Sequence, residues 1–151
     1  MRLIIQRVSR ASVTINGQVH AQIGKGLLAL LGVCHLDSAD DAEWLASKLC
    51  GMRIFSDENG KMNLSVNDVQ GELLLISQFT LFADTKKGNR PSFIRAAGSE
   101  LANNLYQQFI QDVTKNATGN VKTGVFAADM KVELMNDGPV TIVMDSQNRD
   151  F

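Results

Sequence analysis

The chain has little with which to hold a metal or a crosslink. Among 151 residues there are two cysteines and two histidines. Cys34 and Cys50 form no Cys-x-x-Cys pair, and His20 and His35 supply no zinc spacing. The plain expectation is a reduced, intracellular chain with no metal and no cofactor. Long apolar runs are missing too, so no segment has the length to span a bilayer. The N-terminus, Met1-Arg2-Leu3-Ile4-Ile5-Gln6-Arg7, is too short and too soon charged for a signal-peptide core. A cytoplasmic location without membrane contact follows. Nor is there an excess of positive charge: the formal net charge is −1 and the pI near 6.1. That excludes the broad basic field of a general nucleic-acid coat protein, so any RNA contact must be local, and DNA is not an expected partner. Gly24-Lys25-Gly26 lacks the spacing and the Lys-Ser/Thr ending of a phosphate loop and reads as a turn.

What is present suits one domain over residues 1–151, because 44% apolar content can fill a core without staples. Leu3 to Ile15 is rich in β-branched residues, and Asn16-Gly17 tolerates the positive φ angles of a two-residue hairpin turn. The continuous run Leu27 to Val33 reads as a strand covered on both faces. Ser38 can cap a helix whose Ala42, Leu45, Ala46 and Leu49 share a face. Asp40, Asp41 and Glu43 sit near its positive end, and Gly51 is its stop. A second helix begins at Ser99 as cap, buries Leu101, Leu105, Phe109 and Val113, and ends before Gly119. Val121–Phe126, Lys131–Met135 and Val140–Met144 read as three short strands, with Val132 and Leu134 on one face of the middle one. Strands in adjacent groups with only two helices predict an α+β domain with a mainly antiparallel, curled sheet, not a βαβ nucleotide fold.

Two elements stand out as chemistry. Ser77-Gln78-Phe79-Thr80 stands directly on the end of the apolar run Leu73-Leu74-Leu75-Ile76. Asn136-Asp137-Gly138-Pro139-Val140-Thr141 interrupts a strand-like stretch and leaves main-chain groups with no ladder to join. A Ser77 or Thr80 nucleophile would need a base, yet His20 follows a hairpin turn, His35 precedes a helix, and no Gly-x-Ser-x-Gly elbow exists. The cheaper mechanism places the Phe79 and Thr80 amides at an oxyanion, with Ser77, Gln78 and Thr80 orienting an ester and water. The bland alternative is that these hydroxyls satisfy strand-end hydrogen bonds and that Gly-Pro marks a turn.

Leu3-Ile4-Ile5-Gln6-Arg7-Val8, Ala11-Ser12-Val13, Gly26-Leu27-Leu28 and Arg53-Ile54-Phe55 open a longer pattern. It continues through Gly60-Lys61-Met62-Asn63-Leu64-Ser65, the tetrad, Arg90-Pro91-Ser92-Phe93, Thr123-Gly124, Ala128-Asp129-Met130 and the Gly-Pro element. In this order and spacing the chain resembles the D-aminoacyl-tRNA deacylases, proofreading esterases that remove D-amino acids from mischarged tRNA. The resemblance implies a barrel-like antiparallel sheet flanked by two helices, a homodimer, and catalysis at Ser77, Gln78, Phe79 and Thr80. It implies a cis Gly138-Pro139 whose carbonyl oxygens enter the partner subunit's site and exclude L-amino acids, with Arg7 influencing their orientation. Met130 would line the same pocket, and Phe79 and Phe126 would face the terminal adenine. Several D-aminoacyl groups, and glycine, would then be substrates. Thr80 matches a residue proposed as nucleophile; a competing account gives activation of water to the tRNA 2′-hydroxyl, and the missing base favours the second. Lys86, Lys87 and Arg90 put positive charge where the phosphates of a tRNA 3′ end could pass. Phe82 departs from the family pattern, where a smaller residue is common, as does a somewhat extended tail from Ser146 to Phe151. A non-catalytic nucleic-acid binder and a hydrolase of another ester or amide remain as alternatives.

Overall fold

The computed structural model describes residues 1–150; Phe151, the end of the tail, lies outside that range. In chain order the elements are β1 (Arg2–Ile15), β2 (Gln18–Ile23), β3 (Gly26–Gly32), α1 (Ala39–Gly51), β4 (Phe55–Ser56) and β5 (Met62–Leu64). Then come β6 (Glu72–Ser77), a 3₁₀ helix (Phe79–Phe82), α2 (Ser99–Asn116), β7 (Val121–Thr123) and β8 (Lys131–Asp145). The long strand β1 is the spine of a curled, barrel-like sheet. It turns through Asn16-Gly17 (φ 51° and 77°) into β2, and it also pairs antiparallel with β3 and β8. From β3 the sheet continues through β6 to β7, and these two junctions are parallel. The fold is α+β, mainly antiparallel, with two flanking helices, as the sequence leads one to expect.

β3 and β6 read as unbroken apolar runs because each has protein on both faces. Leu27, Ala29, Leu31, Leu73 and Leu75 point to the larger core, where Leu45 and Leu49 of α1 meet Leu105, Tyr106, Phe109 and Val113 of α2. Leu28, Leu74 and Ile76 point the other way, into a smaller core with Val8, Val13 and Ile23 inside the curl of the sheet. One set of strands thus serves two cores, which binds the chain into a single domain. Ser38 caps α1 as expected, its backbone N–H donating to Asp41 Oδ2 at 2.9 Å.

Four expectations need adjusting. Gly98, not Ser99, is the residue before α2, and Leu101 is 38% exposed, because Tyr106 and not the first turn fills the face toward the core. The strand expected over Val121–Phe126 stops at Thr123, opposite Leu75; Gly124 N–H makes the last bond to β6, to Leu75 O at 2.9 Å, and Ile76 and Ser77 of β6 continue without a partner from this strand. Lys131–Met135 and Val140–Met144 are not separate strands but the two ends of β8, since β1 is long enough to pair with both. The Gly-Pro interruption is absorbed by register shifts between Gln6 and Val8 and between Val8 and Arg10. Val132 and Leu134 do share one face of β8, opposite Val13 and Ala11 of β1, with Leu134 37% exposed.

Glu72 fastens the start of β6 to its surroundings. Its carboxylate accepts from the Gly24 N–H at 2.7 Å and from Asn120 Nδ2 at 3.2 Å. The hydrogen bond from Gly24 chiefly, with those of Asn120 and the nearby Lys122 charge, holds the carboxyl below its ordinary pKa against partial burial. The unfolded chain therefore binds a proton more readily than the folded one. The contribution is present above the ordinary carboxylate pKa and is lost as pH falls through the lowered one. Glu72→Gln should cost about 1 kcal/mol at neutral pH. Denaturant unfolding should show the gap from wild type closing as pH falls below the ordinary carboxylate range.

Candidate active site

β6 ends at Ser77 because the chain turns there under a hydrogen bond from Gln78 N–H to Leu31 O (2.7 Å) at the end of β3. The following four residues wind into the 3₁₀ helix. A helix cannot satisfy its own first amides, and among the described residues no acceptor meets the N–H of Phe79 or of Thr80. Two adjacent main-chain donors are thus left free at the end of a buried strand. The helix can lie so close to β3 because residue 32 is glycine: a Cβ there would stand 3.0 Å from Gln78 O, 3.0 Å from Leu81 Cβ and 3.3 Å from the Phe82 ring. Phe82 itself is buried against this seam and does not line the cleft.

In front of the tetrad is a cleft of about 560 Å³. Ser77, Gln78 and Phe79 line one side, α2 contributes Ala102 and Tyr106, and the segment after β7 contributes Phe126 and Met130. The walls are mainly apolar with a few polar groups, Ser77, Gln78, Ser99 and Asp129, the arrangement of a small-molecule site. Phe79 is 57% exposed and meets the Phe93 ring edge-on, with centroids 5.0 Å apart. Tyr106 donates its hydroxyl to Leu75 O (2.8 Å), and burial pushes its pKa upward, so it stays protonated. Asp129, also in the lining, is exposed and paired with Lys131 Nζ at 3.0 Å.

The residues picked from the sequence fall into three places. Ser77, Gln78, Phe79, Phe126 and Met130 meet in the cleft. Thr80 lies beside it, and its Oγ1 accepts from Gln78 Nε2 at 2.6 Å, an amide that cannot act as a base. His20 and His35 are exposed and absent from the lining.

Arg7, Gly138 and Pro139 form a second constellation outside the cleft. The Gly138-Pro139 peptide is cis and both residues are exposed. The β1–β8 ladder skips from Thr141 to Asn136, so the carbonyls of Gly138 and Pro139 have no strand partner. Arg7, itself buried, donates Nε–H to Asp137 O (2.8 Å) and Nη1–H to Ile54 O (2.5 Å). Asn136, which sequence reasoning passed over, clips the bend from inside: it accepts from Val140 N–H at 2.8 Å and donates to Val140 O at 3.0 Å. The Asx preference for bonding nearby backbone was the available signal. At Gly138, φ is 150° and a Cβ would stand 2.7 Å from Val140 Cγ2, so only glycine fits.

Lys86, Lys87 and Arg90 occupy a third place, an exposed loop closed by paired hydrogen bonds between Asp84 and Ser92 (2.8 and 2.9 Å). Among the described residues none of the three is ion-paired. The loop leads directly into Phe93, which touches Phe79. Among the described residues no group of three or more His, Cys, Asp or Glu is placed to hold a metal, and no helix is long and apolar enough to cross a membrane.

Comparison with known proteins gives one answer across nearly the whole chain. The family model described as D-Tyr-tRNA(Tyr) deacylase matches residues 4–145. A D-aminoacyl-tRNA deacylase of Flavobacterium johnsoniae is 56% identical over 150 residues, 99% of this chain and 100% of its own. Another, of Cytophaga hutchinsonii, is 58% identical over 149 residues, 99% of each chain. Among solved structures, one described as c-Myc DNA Unwinding Element Binding Protein superposes with a TM-score of 0.91 at 41% identity, covering 96% of this chain and 98% of that one. A second, described as a probable eukaryotic D-amino acid tRNA deacylase, superposes with a TM-score of 0.79. At 16% identity over 95% of this chain and 97% of that one, it speaks for the fold alone. With a family match spanning nearly every element of the sheet and relatives above half identity end to end, this chain belongs to the D-aminoacyl-tRNA deacylase family.

Proposed function

We propose that the ester of a D-aminoacyl-tRNA is cleaved in the cleft, with its carbonyl oxygen held by the Phe79 and Thr80 amides and its water activated without a protein base. As a member of its family the chain is a D-aminoacyl-tRNA hydrolase that acts in chiral proofreading. The observation that carries the mechanism is the pair of unpartnered amides beside an apolar cleft that has no histidine in its lining and whose one carboxylate, Asp129, is exposed and paired with Lys131. Water oxygen bonds to the ester carbon, negative charge gathers on the carbonyl oxygen, and the bond to the ribose oxygen breaks as that oxygen takes the proton. Fixed N–H donors aimed at this oxygen stabilise the transition state at no reorganisation cost. Ser77, Gln78 and Thr80 orient ester and water, and the tRNA 2′-hydroxyl assists the water. An aminoacyl ester is already activated, so this help suffices.

Selection of handedness falls to Gly138 and Pro139 of a second copy in a homodimer. Their carbonyls are exposed, unladdered, braced by Arg7 and outside their own cleft. Carbonyl oxygens at the mouth bind the α-amino group and occupy the space of an L side chain while ignoring side-chain identity. Glycine, with nothing to exclude, is then hydrolysed as well. Phe126 and Met130 receive the terminal adenosine, Phe79 and Phe93 form the platform at the mouth, and Lys86, Lys87 and Arg90 follow the phosphates. The place of action is the cytoplasm, where aminoacyl-tRNA is. One observation favours a second reading, nucleic-acid binding without chemistry: the 41% identical solved structure is named for binding a DNA unwinding element.

Matched D-, L- and glycyl-tRNA, assayed with a chelator present, separate these readings. Release of D-amino acids of several sizes and of glycine, but not of L-amino acids, is the expected result; a binder hydrolyses none, and a general esterase shows no chiral preference. Thr80→Ala should keep kcat within about tenfold of wild type, against a loss of about 10⁴-fold or more for a removed nucleophile. Wild type should show no inflection in kcat/KM near pH 6–7, about where a histidine base would titrate. Replacing both Lys86 and Lys87 by alanine should weaken tRNA binding and lower the slope of log K against log salt by about 1–2. An unchanged slope would remove the loop from the RNA path.

A further inference from the structure

The 3₁₀ helix that carries the two free amides is only four residues long, and the residues after it run into an exposed loop. Its start is fastened by Gln78 N–H to Leu31 O (2.7 Å), but its own turn bonds, Leu81 N–H to Gln78 O and Ala83 N–H to Thr80 O, are longer, at 3.3 and 3.1 Å. Phe82, buried against Gly32, seats its far end by packing alone, and a polar tie from outside is needed to fix how that end is turned. The structure provides that second anchor in Arg2. Arg2 begins β1 with Gly32 opposite it on β3 and Asp145 opposite it on β8, so its side chain emerges where both strands finish beside the helix.

The Arg2 guanidinium makes three contacts there. Nε–H donates to Asp145 Oδ2 at 2.8 Å, Nη1–H donates to Leu81 O at 2.9 Å, and Cζ lies 4.8 Å from the centre of the Phe82 ring. Asp145 is held in turn, its Oδ1 accepting from Gln147 N–H at 3.0 Å. The Leu81 carbonyl belongs to the last turn, beyond the reach of a donor within so short a helix. A planar guanidinium with two fixed donor directions sets both the position of that carbonyl and the tilt of the ring below it.

We propose that Arg2 is a positioning residue for hydrolysis: it locks the far end of the 3₁₀ helix to β8 and so fixes the aim of the Phe79 and Thr80 amides. This rests on the reading that those amides meet the oxyanion. Arg2 touches no substrate; it acts through Leu81 O and Phe82. Lysine is no substitute, because its single ammonium cannot donate in both directions in one plane.

Steady-state kinetics on D-aminoacyl-tRNA and amide spectra of the free protein test the assignment together. Arg2→Ala should lower kcat about tenfold or more with KM within about twofold. Arg2→Lys should recover little of the loss, and added methylguanidinium should restore part of it to Arg2→Ala. In free Arg2→Ala the ¹H–¹⁵N resonances of Phe79 and Thr80 should move or broaden while those of Leu73 to Leu75 hold still. Full kcat in the folded alanine variant, a loss confined to KM, or lysine equal to arginine would overturn the proposal, as would unmoved Phe79 and Thr80 amides. Should Arg2→Ala fail to fold, Arg2→Lys carries both measurements with the same decision. Wild type without hydrolysis would remove the functional reading instead, and the amide spectra would still decide whether Arg2 holds the helix.

Discussion

A buried strand that stops cannot leave its next amides inside the sheet, and the site of this protein depends on that constraint. β6 is buried along Leu73 to Ile76 and loses its ladder at Ser77, where β3 also ends. The Leu31 carbonyl takes the Gln78 N–H, and the following two amides face outward from a helix too short to use them. Gly32 permits the close approach that keeps this turn against the sheet. On the proposed mechanism, ester hydrolysis at such a place needs no ionisable side chain, since the donors are main chain and their direction is set by packing. Tyr106 illustrates the same economy: its hydroxyl is committed to the Leu75 carbonyl of β6, so it shapes the cleft without titrating in it.

Much of this was legible in the residues. Period and punctuation gave the first hairpin, the doubly covered β3, the apolar run of β6, and α1 with its Ser38 cap, because each is decided by a few neighbouring side chains. The tetrad was visible as polar residues abutting an apolar run. Less legible was anything settled by distant partners. β8 reads as two strands since Gly138 and Pro139 break the local pattern, yet β1 is long enough to pair with both ends. The contribution of α2 to the cleft rests on Ala102 and Tyr106, whose types signal packing as readily as a pocket. The cis state of Gly138-Pro139 came from family likeness and not from the dipeptide. Arg2 carries no local sign at all, being simply a cation at the head of a strand until Leu81, Phe82 and Asp145 gather around it.

The Gly-Pro bend shows how an exposed main-chain feature can be kept rigid. Glycine is demanded by a φ of 150° and by Val140, while Asn136 replaces the lost ladder by bonding Val140 on both its N–H and its C=O. Arg7 reaches the same bend from β1, with its other donor spent on Ile54 O, so the brace is tied into the body of the protein. Pinned at three points, the bend presents carbonyls whose position does not depend on what approaches them. That is the property a shape-based reader of handedness requires.

β1 therefore carries two arginines with parallel duties. Arg2 donates to the Leu81 carbonyl next to the free amides, and Arg7 donates to the Asp137 carbonyl next to the free carbonyls. Each guanidinium splits its donors between the functional segment and a fixed group elsewhere, Asp145 for Arg2 and Ile54 O for Arg7. Main-chain chemistry has no side chain of its own to tune, so its precision has to come from what holds the backbone, and a forked, planar cation suits that task better than a point charge. The free amides and the free carbonyls are thus tied to one strand yet braced separately. On the function proposed above, loosening the first would blunt the rate and leave chirality intact, whereas loosening the second would admit L-amino acids at an unchanged rate for D.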